Sequence, residues 1–461
     1  MKSYTFIFVL VLTILPNMMF AQENVTGWRA GTAKMVITPE EPLWMAGFAS
    51  RTEPAQGKLH DLWIKALALE DATGKQAVLV TSDLLGLPKN VSDRIREKLE
   101  TEFGLSKAQI ILNSSHTHSA PVLDNALSDI YSLNEQQTTM VTNYSDKLVD
   151  QMVTLVGNAL DALKPAELFS GNGVARFQVN RRNNPANTLN RVTELNGPSD
   201  PAVPVLKVVN GAGDIIAITF GYACHPTVLN SYDWSGDYAG FAQIEVEKLY
   251  PGATAMFFQG AGADQNPLPR HTVPLAQQYG KTLAAAVERT LSEDMKKLEP
   301  KLQTAYSEVE LPLSTPPTIE ELTQFIENSS SYQQRWATRL LENLKAGQSL
   351  DTFYLYPLQV WQLGDQPIMT LGGELVVEYA IQLKEIFGQE IFVMGYTNDV
   401  MAYIPSATIL REGGYEGATS QMVYGLPSSW APDLETIIIH ELVRLAEEAG
   451  VRKPESKLIN P

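Results

Sequence analysis

The chain has 461 residues, 44% of them apolar and 19% charged, which is ample material for a large core and excludes disorder as a whole-chain state. With 35 Lys and Arg against 52 Asp and Glu it carries a formal charge of −17, which argues against a nucleic-acid partner, since phosphate binding needs a basic footprint. One cysteine, Cys224, allows no intramolecular disulfide and no Cys-rich zinc site.

Along the chain, the first recognisable segment is a leader. Lys2 gives a basic start, residues 6–15 are apolar, and Ala21 precedes Gln22, the pattern of a signal peptide (residues 1–21) cleaved after Ala21. That places the mature chain in the periplasm or outside the cell. The apolar run is too short for a comfortable membrane span and no other stretch reaches membrane length, so no transmembrane segment is expected. Strands are expected over 77–84, 109–113, 215–223, 254–259, 354–363, 367–371 and 390–395. Helical spacing predicts helices over 90–102, 139–163, 237–249, 275–291, 319–346 and 434–449. Thr318 with Glu321 forms a capping box for the fifth of these, and Gly347 suits its far end. Most of the strands lack strict alternation, so the sheets are expected to be covered on both faces. A hairpin around Gly364 and Asp365 makes part of the sheet antiparallel. The reading is an α/β fold with central mixed sheets covered by helices, residues 22–461 forming one large catalytic domain.

Several strands end in clusters of polar residues, where α/β folds place their sites. Residues 113–121 read NSSHTHSAP, 224–227 CHPT, 260–267 GAGADQNP and 372–374 GGE. In an extended segment His116 and His118, separated by one residue, project to the same face and could address one centre. Zinc takes neutral imidazole and carboxylate and keeps an open position in catalytic sites. His225 and Glu374, each following an apolar strand, are the natural additions. Singly, each has an ordinary explanation. Glu374 suits the N-terminus of a following helix, His440 lies within an amphipathic helix, and His271 in a polar loop.

Taken together, the motifs resemble the neutral/alkaline non-lysosomal ceramidases, zinc amidohydrolases that split N-acylsphingosine into sphingosine and fatty acid. AGTAKMVITP (30–39), MAGFASR (45–51), VTSDLLG (80–86), SSHTHSAP (114–121), VNRRN (179–183), CHPT, SGDYAG (235–240), GAGADQNP, GGE and AYIPS (402–406) follow in the family order over roughly residues 30–420. The resemblance implies one zinc per chain held by His116, His225, Glu374 and Tyr403. His118 would be an acid/base group or oxyanion donor, and Arg181 would orient the substrate. Asp264 and Asp83 are then candidates for fixing ligand orientation, with a structural role the equal alternative, and a second divalent cation near either stays open. The family carries a serine where Asn266 stands; an asparagine can donate to an oxyanion but cannot act as a nucleophile. The immunoglobulin-like C-terminal domain of the ceramidases has no room before Pro461, so only the catalytic domain is expected. The substrate expected from the resemblance is a small molecule, an N-acyl lipid. A metal-dependent hydrolase of an ester, lactone or glycoside in a glycan-type substrate, and a non-catalytic secreted binding protein, are the competing readings.

Overall fold

Strands buried on both faces form the frame of the protein. The computed structural model describes Lys2 and residues 27–454, so the expected signal peptide, Lys2 apart, lies outside the described residues. The main sheet contains β1 (Trp28–Val36), β2 (Trp63–Glu70), β3 (Gln76–Ser82), β4 (Ile110–Ser114), β5 (Lys164–Val174), β6 (Ala202–Asn210), β7 (Ile215–Tyr222) and β8 (Thr254–Gln259). They run in the order β8-β7-β6-β5-β1-β2-β3-β4, with β7–β8 and β3–β4 parallel. A second, smaller sheet holds β9 (Leu302–Pro312), β10 (Phe353–Leu363), β11 (Gln366–Leu371) and β12 (Phe392–Met394) in sequence order. The hairpin β10–β11 turns at Gly364, in the left-handed region with φ 60°, and β11–β12 is parallel, so both sheets are mixed, as expected.

Packing follows the side-chain alternation of the strands. On β2, Ile64, Ala66 and Ala68 face helices α1 (Lys89–Phe103) and α2 (Glu135–Asp161) in one core. On β6 and β7, Val203, Val205, Ile218 and Phe220 pack with α3 (Asp237–Leu249) and α4 (Val273–Ser292) in another. The opposite faces, including Leu67, Leu69, Met256 and Phe258, meet Trp361, Ile368 and Phe392 of the second sheet. Beyond that sheet lie α7 (Val377–Phe387) and α8 (Leu434–Glu448). Both faces of the inner strands are thus dry, which is why those strands read as continuous apolar runs.

Two expectations are corrected. The helix expected over 319–346 is two helices, α5 (Ile319–Asn328) and α6 (Ser331–Lys345), with Ser331 at φ 59°. Ser329, Ser330 and Ser331 follow Asn328, and short polar side chains offer the backbone local hydrogen bonds that compete with a helix. The apolar spacing hides the break because Leu322, Trp336 and Leu340 feed the same small core. Strands β1, β2, β5, β6 and β9 escaped the apolar-run reading. On β5 and β9 many residues are exposed or half-buried, and β2 carries a buried lysine, Lys65, bonded to Glu247 at 2.9 Å and to the Ala255 carbonyl at 2.7 Å.

The outermost strands of the main sheet, β4 and β8, are tied by one side chain. The Asn113 amide accepts from the Gln259 backbone N–H at 2.9 Å and donates to the Gly395 carbonyl at 2.8 Å and Thr397 Oγ1 at 3.0 Å. Asn113 therefore holds the ends of β4, β8 and β12 together. The segments leaving these strands, and those leaving β7 and β11, carry the site.

Candidate active site

His116 follows β4, His225 follows β7, Glu374 follows β11 and Tyr396 follows β12. His116 and His118 converge, although not through an extended segment: His116 has φ 64°, and the turn it makes brings the two Nε2 atoms to 3.2 Å. The left-handed turn, rather than strand alternation, aims both rings. His116 Nε2 also lies 3.1 Å from His225 Nε2, and Glu374 Oε2 lies 3.1 Å from the first and 3.2 Å from the second. All four side chains are buried.

The outer ring nitrogens decide what the inner ones can do. His116 Nδ1 bonds the Leu85 carbonyl at 2.7 Å and His225 Nδ1 bonds the Gly262 carbonyl at 3.0 Å. A carbonyl only accepts, so each Nδ1 carries the proton and each Nε2 presents a lone pair. Burial pushes His225 down to about 4, against the pull of the Glu374 carboxylate, so the ring is neutral near pH 7. Two lone pairs and a carboxylate oxygen facing one another repel unless a cation lies among them. His116, His118 and His225 together form a group that could hold a metal ion. The donor set of neutral imidazoles with a carboxylate is the chemistry that zinc accepts.

His118 differs from the other two. Its Nδ1 is buried and has no hydrogen-bond partner among the described residues, so no carbonyl fixes its tautomer. Burial, then the His116 and His225 rings, push it well below its ordinary value. Gly47, at φ 102°, lies against this ring: a Cβ there would stand 2.5 Å from His118 Cγ and Nδ1.

Glu374 pairs with Tyr403 across a short parallel bridge, and the Tyr403 ring stacks 6.4 Å from that of His225. Burial and the Glu374 carboxylate push the Tyr403 phenol well above its ordinary value, against Arg181. Arg181 donates to Tyr403 Oη at 3.2 Å, to Glu416 Oε1 at 2.8 Å and, at 3.5 Å, to Asn266 Oδ1. Asp264 lies beneath: its backbone oxygen accepts from the Arg181 N–H at 2.8 Å, and its carboxylate accepts from Asn180 at 2.9 Å and the Val377 N–H at 2.8 Å. It thereby fastens the Arg181 loop to the start of the helix after Glu374. Asp83 accepts from the Trp63 N–H at 3.0 Å and Gln243 Nε2 at 3.1 Å, and neither bond reaches the cluster.

Sequence reasoning missed several neighbours. Tyr424 donates to Glu374 Oε1 and Tyr396 donates to Oε2 at 3.5 Å, while Glu416 is the counter-ion of both Arg181 and Arg182. Buried tyrosines usually pack, so position alone gave no cue; the GYTND stretch after β12 was the one available signal for Tyr396. Beside Arg181 opens a cavity of about 560 Å³ lined by Arg182, Asn266 and Arg270 together with Glu412 and Glu416.

Residues 28–287, more than half of the chain, match the model of the family described as neutral/alkaline non-lysosomal ceramidase, N-terminal. The chain belongs to the neutral/alkaline non-lysosomal ceramidase family. Among solved structures it is similar to the neutral ceramidase from Pseudomonas aeruginosa, with 19% identity and a TM-score of 0.70 over 92% of this chain and 75% of that one. It is likewise similar to a ceramidase complexed with C2, with 17% identity and a TM-score of 0.71 over 93% and 76%. At these identities the likeness is one of fold. Among curated proteins none matches the chain significantly. Ceramidase family membership supports a ceramidase-like hydrolase with a lipid small-molecule substrate. Among the described residues no helix is long and apolar enough to cross a membrane.

Proposed function

We propose that the chain is a zinc-dependent amidohydrolase of an N-acylated lipid, working outside the cytoplasm. The observation that carries this reading is the facing of His116 Nε2, His225 Nε2 and Glu374 Oε2 within 3.1 to 3.2 Å, with both Nδ1 protons committed to carbonyls. His116, His225 and Glu374 would hold the ion, and Tyr403 would complete the set. A zinc ion supplies Lewis acidity, polarising a carbonyl oxygen and acidifying a water.

The remaining work falls to the side chains around it. Arg181, fixed by Glu416, points its guanidinium at the Tyr403 hydroxyl and orients the scissile carbonyl there. Asn266 Oδ1 faces Arg181, and no acceptor among the described residues takes its Nδ2 protons. That amide donates to the oxygen on which negative charge develops, the part open to an asparagine where the family serine stands. Neutral His118 takes a proton from the attacking water at Nε2. It returns that proton to the leaving nitrogen as the C–N bond breaks, giving a carboxylic acid and an amine. Asp264 acts through the loop it fastens. The leader over residues 1–21 supports export, with cleavage after Ala21.

Metal content of the purified chain by mass spectrometry, beside a His116→Ala/His225→Ala double variant, tests the reading. The expected result is about one zinc per chain, lost in the variant together with hydrolysis of N-acyl amides. A chain that neither contains nor takes up zinc sinks the mechanism, and turnover of esters or glycosides but not amides moves the assignment to that bond.

A further inference from the structure

The cavity beside Arg181 is cationic on an acidic protein. Three arginines, Arg181, Arg182 and Arg270, line it against two glutamates, Glu412 and Glu416, whereas the whole chain carries −17. Both glutamates are already engaged: Glu416 pairs with Arg181 and Arg182 at 2.8 Å each, and Glu412 pairs with Arg182 at 2.8 Å. Arg270 is left over. It is half-buried and forms no ion pair among the described residues.

Arg270 is nonetheless held in place. Its Nη1 donates to Thr227 Oγ1 at 3.2 Å. The loop on either side is pinned, Tyr279 Oη donating to the Pro269 carbonyl at 2.7 Å and the His271 N–H to the Val228 carbonyl at 2.6 Å. Burial and the Arg181 charge both push the guanidinium below its ordinary value. Asp237, the acid that opposes this, spends its carboxylate on the Leu229 and Tyr238 backbone N–H groups. A positioned cation facing a polar cavity, with a second cation beside it, is a half-made ion pair.

We propose that this cavity binds an anionic group of the substrate, with Arg270 as its counter-ion and Asn266 lining the same cavity. One unmatched positive charge calls for one negative charge, and the planar fork of Arg270 suits a carboxylate. The substrate class is therefore an N-acyl amine bearing a carboxylate, as in an N-acylated amino acid, rather than a neutral N-acyl alcohol. This rests on the amidohydrolase reading for what is cleaved, but not for what is bound.

The test is binding of N-acetylglycine and of N-acetylglycinamide, its uncharged counterpart, by titration calorimetry. Using the His116→Ala/His225→Ala variant as the background removes turnover. N-acetylglycine should bind about tenfold tighter or better, the scale of a hydrogen bond to a charged group. Arg270→Gln should bring the two ligands level, and Arg270→Lys should keep most of the preference, separating loss of charge from loss of packing. Equal binding of the pair, binding of neither at millimolar concentration, or a preference that survives Arg270→Gln overturns the proposal. Absence of zinc or amide turnover would remove the hydrolase reading and leave this binding preference intact. Turnover of N-acyl amides regardless of charge would do the reverse.

Discussion

His118 depends on a glycine 71 positions earlier in the chain. Gly47 has φ 102°, a conformation that costs an L-residue about 1–2 kcal/mol, and a Cβ there would lie 2.5 Å from the imidazole. Gly47→Ala should displace His118 without touching His116, His225 or Glu374. The expected outcome is a fall in kcat of about 100-fold, the usual cost of misplacing a reacting group by an ångström, with zinc content unchanged. Steady-state kinetics beside metal analysis checks this; a variant with full kcat would show that His118 moves no proton in the slow step. The same scale explains the contrast among the histidines. Leu85 and Gly262 fix two tautomers through their carbonyls, and the third ring has no such partner among the described residues.

At the scale of elements, α1, the turn after it and β9 are joined by one carboxylate. Glu308 on β9 accepts from Lys107 at 2.9 Å, Tyr306 Oη at 2.7 Å and Lys89 of α1 at 3.5 Å. Burial raises its pKa, but Lys107, Tyr306 and Lys89 outweigh this and hold it at about 2, below the ordinary 4.5. A depressed carboxylate binds fewer protons when folded than when unfolded, so its stabilisation is complete above pH 4.5 and is lost as pH falls toward 2. Glu308→Gln should therefore be less stable than the parent near pH 7, and the gap should close between about pH 4.5 and 2. Urea unfolding across that range decides it; a gap that persists at the acid end would place the effect in packing. The division of the expected helix over 319–346 belongs to this scale too. Amphipathic spacing continued through Ser329 to Ser331, and the competition between hydroxyls and the helix backbone has no signature in apolar periodicity.

Across the whole molecule, Asn113 is the tie between two sheets and between the two outermost strands of the larger one. It is 1% exposed, and its amide bonds Gln259, Gly395 and Thr397. Asn113→Ala leaves the Gln259 N–H without its partner in a dry interior, while the Gly395 carbonyl keeps the Thr397 hydroxyl at 2.8 Å. At about 1–3 kcal/mol for an orphaned buried group, the expected loss is about 1–3 kcal/mol in stability, measured by denaturant unfolding. Because β4, β8 and β12 lead to His116, Asp264 and Tyr396, zinc affinity should fall as well. Unchanged stability would mean that apolar packing and the backbone bonds from Gly395 to Gln259 and from Asn398 to Leu112 hold the sheets without it.

Much of the frame was legible because buried strands must be apolar. The runs at 215–223 and 254–259 became β7 and β8 almost to the residue, and the turn at Gly364 carried its own conformational signal. Half-exposed strands such as β9 and β5 gave no such run, since each inherits its dryness from a neighbouring layer. The order of the motifs, by itself, determined the family and nominated His116, His118, His225 and Glu374, because a chemistry needs particular side chains wherever they lie in the chain. Only the tertiary structure decided which nitrogen of each imidazole faces inward, that Tyr396 and Tyr424 hold Glu374, and that Glu416 is the partner of Arg181 while Arg270 has no ion pair among the described residues. Those facts depend on carbonyls and charges up to 235 positions apart, and separation of that kind leaves no periodicity to read.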